Sequence, residues 1–324
     1  MFFWMALFSC LLAMALTPIA SWIGWWIGAL DVPMDWRRMH RKAIPRCGGI
    51  AIFFSFLISC LASLESSAFL RFAFFGGGLI FFLGLLDDIL SMRAYTKLFF
   101  QILIVFLSVL LSGAVPKERL LFATLWILVL VNAHNFVDGL DGLLAGTAAL
   151  EGGALCVCFL LLESPEYALP PLLLSAACLG FRHFNRFPAR IFAGDCGSQS
   201  VGFLLGYLSL PLLLGLPRGI GLLSPLFVFA YPLTDLFTAV FRRVLRGKSP
   251  FAADRAHLHH RICDTGVLHS QCSDILHLIS ASMAGVGILL CNGQYLLPAG
   301  IACLLVAFLL MYLRRAIVNF SASY

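Results

Sequence analysis

Charged residues are scarce in this sequence, making up 12% of the 324 residues, whereas hydrophobic residues make up 61%. Soluble domains carry about 25% charged residues and about 45–50% apolar ones. The sequence also lacks any polar stretch long enough to build a soluble core. These absences exclude a soluble globular protein and predict an all-α, polytopic membrane protein that forms one domain over residues 1–324.

Paired cysteines are also missing. The eleven cysteines are scattered without a CxxC motif, and most lie in apolar runs, where cysteine behaves as a small hydrophobic residue. This spacing predicts neither disulfides nor a zinc finger. The first apolar segment lacks a basic leader and a clear cleavage site, so we expect a first transmembrane helix there rather than a removed signal peptide.

Long apolar runs, in contrast, are abundant. A spanning helix needs about 20 mostly apolar residues. Eleven segments come close to this length: 4–29, 48–64, 71–86, 98–114, 120–135, 143–162, 167–182, 200–216, 219–241, 274–291 and 294–313. The sequence therefore predicts about eleven transmembrane helices, of which the fifth is the shortest.

The basic residues predict the orientation of these helices. When the connections are numbered alternately, one set holds 18 of the 22 lysines and arginines. Cytoplasmic connections are enriched in basic residues, so this set is cytoplasmic, the N-terminus lies outside and the C-terminus inside. The net charge of +6 is then a topology signal, and no nucleic-acid partner is expected.

Five polar clusters fall on the predicted cytoplasmic side. They lie in connections 31–47, 87–97, 132–142, 183–199 and 242–273, with the motifs HRKAIPRCGG, GLLDDIL, NAHNFVDGLDG, FAGDCGSQS and DRAHLHHR. Ionisable groups near membrane depth are costly and usually functional. Acidic groups with few histidines favour Mg²⁺, with Mn²⁺ as the alternative, and the basic residues nearby favour phosphate ligands.

Each cluster also has a simpler interpretation. Asp87 and Asp88 point about 100° apart on a helix, so we expect at most one of them in a site. The glycines beside Asp138 and Asp141 favour a tight turn. Asp195 suits a helix N-cap. The histidines of DRAHLHHR lack a fourth ligand at zinc-finger spacing, and Gly48–Gly49 favours helix packing.

Together these motifs resemble the polyprenyl-phosphate N-acetylhexosamine-1-phosphate transferase family, part of glycosyltransferase family 4. HRKAIPRCGGIAI, GLLDDIL, NAHNFVDGLDGLLAG, FAGDCGSQSVGF and HLHHR occur in the family's order over residues 40 to 261. The family's MurNAc-pentapeptide branch carries three adjacent histidines, whereas this chain has HLHH. The chain therefore looks like the UDP-N-acetylglucosamine branch, which begins cell-envelope polysaccharides and teichoic acids.

The resemblance implies a role for each site residue. Asp195 would bind Mg²⁺ with help from Asn135, and the catalytic pair Asp87 and Asp88 would serve the lipid phosphate, with Asp87 as a candidate base. The residues implied in nucleotide binding are Lys42, Asp138, Asp141 and Phe192, the last by stacking on uracil. Those implied in binding the diphosphate and sugar are Arg255, His257, His259, His260 and Arg261.

The implied reaction transfers a HexNAc-1-phosphate from UDP-HexNAc, with GlcNAc-1-phosphate from UDP-GlcNAc favoured, to undecaprenyl phosphate at the cytoplasmic face of the bacterial inner membrane. The implied partners are then the two substrates and the lipid bilayer. The resemblance does not decide whether the chain forms a homodimer. The alternatives are a MurNAc-pentapeptide transferase, a cation-coupled transporter with acids at the membrane midplane, and a CDP-alcohol phosphatidyltransferase. The last needs an arginine after its DG, and LLAGTAAL, which follows Asp141-Gly142, has none.

Overall fold

The structure is a computed structural model that describes residues 1–32, 43–63, 67–215, 223–247, 249, 258–264 and 267–291. Within these ranges the regular secondary structure is helical apart from two short paired strands, β1 (Leu30–Asp31) and β2 (Ile44–Pro45), which confirms the predicted all-α class. The helices are α1 (Phe2–Ile27), α2 (Gly49–Ala62), α3 (Ala68–Leu90), α4 (Ala94–Ser112), α5 (Leu120–Val137), α6 (Leu143–Leu161), α7 (Leu169–Asn185), α8 (Gly194–Leu208), α9 (Leu210–Leu213), α10 (Leu223–Val228), α11 (Ala230–Leu245), α12 (Leu258–Cys263) and α13 (His269–Cys291).

Several of these helices have the dimensions of membrane spans. Among the described residues, six helical segments are long and apolar enough to cross a bilayer: Phe2–Ile27, Ala68–Leu90, Ala94–Ser112, Lys117–Val137, Leu143–Leu161 and His269–Cys291. The chain is therefore a multi-pass membrane protein. The count of eleven spans and the orientation stay predictions, and the predicted span 294–313 lies outside the described residues.

Two predicted spans differ from the observed helices. The eighth, placed at 200–216, begins earlier, at Gly194, and continues from α8 into the short α9. The ninth, placed at 219–241, is broken at Phe229 between α10 and α11. Pro232 has no N–H to donate to a carbonyl four residues earlier, so an unbroken helix would lack a hydrogen bond here.

Local sequence signals explain where other helices begin and end. The Ser67 hydroxyl accepts a hydrogen bond from the Leu70 N–H at 3.2 Å and so caps α3. Gly28, at φ 75°, ends α1, and Gly113, at φ 63°, ends α4. Glycine adopts this left-handed conformation without a steric penalty, so both helices stop where the chain must turn.

Helix α8 lies at the centre of the bundle, between α3 and α5. A Cβ atom on Gly202 would lie 2.6 Å from the carbonyl oxygen of Leu130 in α5, and Gly84 of α3 lies directly against the backbone of Asp195. Small residues allow transmembrane helices to approach this closely. The close packing brings the polar ends of α3, α5 and α8 to one place.

Candidate active site

Polar side chains from distant parts of the sequence meet where α3, α5 and α8 come together. Asp87 and Asp88 lie in the last turn of α3, Asn135 lies near the end of α5, and Asp195 lies in the first turn of α8. Lys97 joins them from the first turn of α4. We call these five residues the acidic cluster.

Asp195 makes the most contacts in the acidic cluster. One carboxylate oxygen, Oδ1, accepts a hydrogen bond from the Asn135 amide at 3.0 Å. The other, Oδ2, accepts hydrogen bonds from Lys97 Nζ at 2.7 Å and Gln199 Nε2 at 3.0 Å. The Asp195 side chain remains 17% exposed, so a solvent-borne ligand can reach it.

Lys97 joins two carboxylates. Its ammonium lies 2.7 Å from Asp87 Oδ2 and 2.7 Å from Asp195 Oδ2. The other oxygen of Asp87 accepts a hydrogen bond from the Met92 N–H at 2.7 Å. Both oxygens of Asp87 are therefore engaged, and Lys97 neutralises part of the negative charge of the cluster.

Asp88 caps the start of α8. Its two oxygens accept hydrogen bonds from the backbone N–H groups of Asp195 at 2.9 Å and Cys196 at 3.0 Å, and its side chain is 0% exposed. A carboxylate at a helix N-terminus satisfies free N–H groups and interacts favourably with the helix dipole. Asp87 and Asp88 point to different neighbours, since Asp87 faces Lys97 of α4 while Asp88 faces the start of α8. The expectation that at most one of them enters the functional site stays a prediction.

Arg46 and Asp138 extend the same electrostatic environment. Arg46 Nη2 lies 3.6 Å from Asp88 Oδ1 and 3.9 Å from Asp195 Oδ1, and its side chain is 38% exposed. Burial raises the pKa of Asp138 to about 7; Arg46 opposes this rise, and the charges of Asp195 and Asp88 add to it. Asp138 therefore lies within the field of the acidic cluster.

Asp141 is held by a different loop. Residues 138–142 form the predicted turn, and Gly142 adopts φ 73°. Asp141 Oδ2 accepts a hydrogen bond from the Ala189 N–H at 2.9 Å, and its Oδ1 lies 3.9 Å from His269 Nε2. The structure thus connects Asp141 to the connection between α7 and α8.

Phe192 precedes the start of α8. Its N–H donates to the Pro45 carbonyl at 2.8 Å, and its own carbonyl accepts from the Gly48 N–H at 2.9 Å. These bonds tie the predicted first cytoplasmic connection to the chain entering α8, and Gly48–Gly49 packs there as the sequence indicated. The half-buried ring has a fixed backbone, and its stacking on uracil stays a prediction.

The histidine motif begins a short helix. His259, His260 and Arg261 lie in α12, whose first N–H, from Leu258, donates to Oδ1 of the fully buried Asp235 in α11 at 2.9 Å. The side chains of His259 and His260 lie outside the described part of the structure, as do Lys42, Arg255 and His257. Their predicted roles remain predictions.

The charge balance of this region suits a divalent cation. Asp87, Asp88, Asp138 and Asp195 supply four carboxylates, and Lys97 and Arg46 supply two positive charges. Among the described residues, no three aspartate, glutamate, histidine or cysteine side chains form a ready metal cage. Mg²⁺ is usually held by one or two carboxylates together with substrate phosphates, so the residues present fit a site that the substrate completes.

Sequence reasoning missed several residues of this region. Lys97 and Arg46 entered only as topology charges, and Gln101 and Gln199 were not considered. Gln101 lies four residues after Lys97, on the same face of α4. A glutamine within an apolar helix next to that lysine was the available signal.

The model of glycosyl transferase family 4 matches residues 69–212, which contain all five residues of the acidic cluster. A Bacillus subtilis protein described as "Probable undecaprenyl-phosphate N-acetylglucosaminyl 1-phosphate transferase" is 31% identical over 319 residues, covering 93% of this chain and 88% of the relative.

Two further relatives come from other bacteria. The decaprenyl-phosphate N-acetylglucosaminephosphotransferase of Mycolicibacterium smegmatis is 32% identical, covering 89% of this chain and 83% of its own length. The undecaprenyl-phosphate alpha-N-acetylglucosaminyl 1-phosphate transferase of Yersinia pestis is 29% identical, covering 86% and 81%. The similarity therefore extends beyond the motifs to most of the chain.

Proposed function

The chain belongs to glycosyl transferase family 4, and from this membership we propose that it is a sugar-1-phosphate transferase that moves GlcNAc-1-phosphate from UDP-GlcNAc to undecaprenyl phosphate. The observation that carries the proposal is the acidic cluster, which lies at the ends of apolar helices in a chain similar over most of its length to transferases of this kind. Such a site can accept one water-soluble substrate and one substrate anchored in the membrane.

The proposed reaction is a direct phosphoryl transfer. A phosphate oxygen of undecaprenyl phosphate forms a bond to the β-phosphorus of UDP-GlcNAc, and the bond between that phosphorus and the bridging oxygen breaks. The products are UMP and undecaprenyl-diphospho-GlcNAc. Phosphoryl transfer depends mainly on positioning and charge stabilisation, and the lipid phosphate is already a competent nucleophile.

Mg²⁺, with Mn²⁺ as the alternative, is the proposed cofactor. Asp195 and Asn135 would hold it: the Asn135 amide nitrogen is used in bonds to Asp195 and Ser198, which leaves its carbonyl oxygen for a cation. When bound, the ion supplies charge stabilisation for the diphosphate and the departing UMP.

The chain's own cations and carboxylates position the reacting groups. Lys97, held between Asp87 and Asp195, presents a fixed positive charge, and the more exposed Arg46 can meet a phosphate at the open side. Asp87 orients Lys97, and Asp88 orients the start of α8 through two backbone bonds. We assign these two aspartates to positioning the lipid-phosphate site, since no base is required for attack by a phosphate anion.

The remaining predicted residues would hold the donor. Lys42, Asp138, Asp141 and Phe192 would bind the nucleotide, and the α12 segment with Arg255 and His257 before it would bind the diphosphate and sugar. Asp235, which caps α12, fixes the position of that segment. The reaction is proposed for the cytoplasmic face of the bacterial inner membrane, because UDP-GlcNAc is made and used inside the cell.

The experiment is a transfer assay with purified protein, undecaprenyl phosphate and three radiolabelled donors: UDP-GlcNAc, UDP-GalNAc and UDP-MurNAc-pentapeptide. We expect UDP-GlcNAc to label the lipid, with one UMP released per lipid product. Labelling by UDP-MurNAc-pentapeptide alone would move the chain to the other branch, and no labelling with any donor would refute the proposal.

The same preparation distinguishes direct attack from a covalent enzyme intermediate. Without lipid, a covalent route allows labelled UMP to exchange into UDP-GlcNAc, because the first half-reaction runs alone. Direct attack predicts no exchange until undecaprenyl phosphate is added.

A further inference from the structure

A chain of side-chain amides runs from Asn132 of α5 through Gln101 of α4 and Gln199 of α8 to Asp195. The Asn132 amide donates to Gln101 Oε1 at 3.2 Å. The Gln101 amide donates to Gln199 Oε1 at 2.9 Å, and the Gln199 amide donates to Asp195 Oδ2 at 3.0 Å. We call Asn132, Gln101 and Gln199 the amide relay.

The direction of the amide relay follows from its last member. An ionised carboxylate only accepts hydrogen bonds, so Gln199 must turn its NH₂ group towards Asp195. The carbonyl of Gln199 then faces Gln101, which must in turn donate to it, and the Gln101 carbonyl faces Asn132. Every amide dipole therefore points its positive end towards Asp195, and hydrogen bonds aligned in this way strengthen one another.

The two glutamines of the amide relay are buried within the helical bundle, and Asn132 is half-buried. Gln101 is 1% exposed and Gln199 is 0% exposed. Burying an amide without hydrogen-bond partners is costly. Two apolar side chains in place of Gln101 and Gln199 would fill the same space and would need no partners. The two carboxylate oxygens of Asp195 have different partners. Oδ2 accepts hydrogen bonds from Lys97 and Gln199. Oδ1 accepts a hydrogen bond from Asn135 and lies near the more exposed Arg46.

We propose that Gln101 and Gln199 are positioning residues for Asp195, which hold its carboxylate so that Oδ1 is presented to the divalent cation and the donor diphosphate. This inference rests on the proposed function, in which Asp195 binds the cation. Outer-shell partners of metal ligands act in this way, and their loss commonly costs 10–100-fold in metal affinity or activity. Gln101 lies outside every motif that marked the site, and Gln199, although within FAGDCGSQS, was assigned no role there.

The test replaces each glutamine by methionine, which is unbranched and close to glutamine in length but cannot donate a hydrogen bond. The first readout is Mn²⁺ binding to purified protein without nucleotide, followed by the electron paramagnetic resonance signal of free Mn²⁺. We expect Gln199→Met to weaken Mn²⁺ binding about 10–100-fold. Gln101→Met should weaken binding in the same direction, because the carbonyl of Gln199 loses its donor.

Three comparisons separate positioning from general damage. The double variant should bind Mn²⁺ about as tightly as the single variant that binds it more weakly, because either substitution interrupts the same series of hydrogen bonds. Gln199→Glu should be worse than Gln199→Met, because an acceptor-only group then faces Asp195. Ser108→Ala is the matched control, since Ser108 is buried two turns further along α4 and its hydroxyl donates only to Ile104 of its own helix at 2.7 Å.

A second readout is the Mg²⁺ dependence of transfer. The half-saturating Mg²⁺ concentration should rise in parallel with the loss of Mn²⁺ binding, while the KM for undecaprenyl phosphate stays within about threefold, since the relay reaches only Asp195. Melting temperatures identify variants that do not fold. If Gln101→Met does not fold, Gln199→Met and Gln199→Glu carry the test.

Asp195→Asn, measured in parallel, separates the two hypotheses. Normal Mn²⁺ binding by both methionine variants, beside lost binding by Asp195→Asn, overturns the amide relay and leaves the proposed function standing. Normal Mn²⁺ binding by Asp195→Asn overturns the metal assignment, and the role of the relay falls with it. Weakened binding in all three variants, with Ser108→Ala unchanged, supports both.

Discussion

Two neighbouring residues of α5 belong to two different polar groups, one fully buried and one partly exposed. His134 Nε2 lies 2.7 Å from Glu151 Oε2 of α6, and both side chains are 0% exposed. Asn135, the next residue, contacts Asp195 and Ser198 in the partly exposed region of the acidic cluster. Successive side chains on a helix point about 100° apart, so one helix serves both groups.

The two groups differ in charge balance and in access. The His134–Glu151 pair joins one basic and one acidic side chain, and His134 Nδ1 lies 2.8 Å from the carbonyl oxygen of Leu130 in its own helix. The acidic cluster, with Asp138 and Arg46, contains four carboxyl side chains against two basic ones and remains open to solvent. Accessible carboxylates in excess of basic side chains suit the proposed site, whereas a closed, fully buried pair suits packing.

The largest effect is expected for Lys97, whose removal leaves Asp87 and Asp195 without their shared cation. Lys97→Met should lower kcat by about 10²–10³-fold, the usual effect of losing one preorganised electrostatic contact. Transfer assays at saturating substrates measure this effect. Lys117→Met, at an exposed lysine before α5, is the control. A change below about threefold in Lys97→Met would remove the lysine from the site.

A smaller effect is expected at the nucleotide end of the site. If Phe192 stacks on uracil, Phe192→Ala should raise the KM for UDP-GlcNAc about five- to 150-fold and weaken inhibition by UMP, since stacking contributes roughly 1–3 kcal/mol. Phe192→Trp should retain most of the nucleotide affinity, and the KM for undecaprenyl phosphate should barely change. An alanine variant that melts earlier with unchanged UMP affinity would make Phe192 a structural aromatic.

The smallest effect on catalysis is expected for the closed pair. Glu151→Leu leaves His134 without its partner and should lower the free energy of unfolding by roughly 1–5 kcal/mol, while both KM values of the folded protein stay within about threefold. Melting curves and kinetics on the same preparation measure the two effects. His134→Leu combined with Glu151→Leu should recover part of the stability, because no polar group is then left unpaired. Loss of kcat with unchanged melting would place the pair in the catalytic site.

The sequence predicted the class of the fold and much of the position of the site. Apolar runs and helix-end motifs were sufficient to place Asp195, Asn135 and Asp87 near one another, because the positive-inside rule assigns those helix ends to one side. The turn at Asp138 followed from its glycines.

The remaining features depend on which helices are neighbours, which periodicity does not give. In the sequence Lys97 served only to predict which side of the membrane its connection faces. Its contact with Asp195 becomes visible only when α4 is placed beside α8. In the sequence Asp87 and Asp88 cannot be distinguished. In the structure they differ, because α8 begins directly against Asp88 and not against Asp87. The break at Phe229 had only prolines as a signal, and the run from 219 to 241 is otherwise apolar throughout.

A Mg²⁺ titration of Asp195→Asn shows whether Asp195 holds a divalent cation for sugar-phosphate transfer. Wild-type protein treated with EDTA should lose transfer activity and regain it as Mg²⁺ is added. Asp195→Asn should fold normally, lose at least about 10²-fold in rate and stay inactive at saturating Mg²⁺, because one ligand charge is gone. Asp274→Asn, at an exposed aspartate of α13, should match the wild type. Transfer by Asp195→Asn within a few-fold of the wild-type rate at saturating Mg²⁺ would contradict the claim.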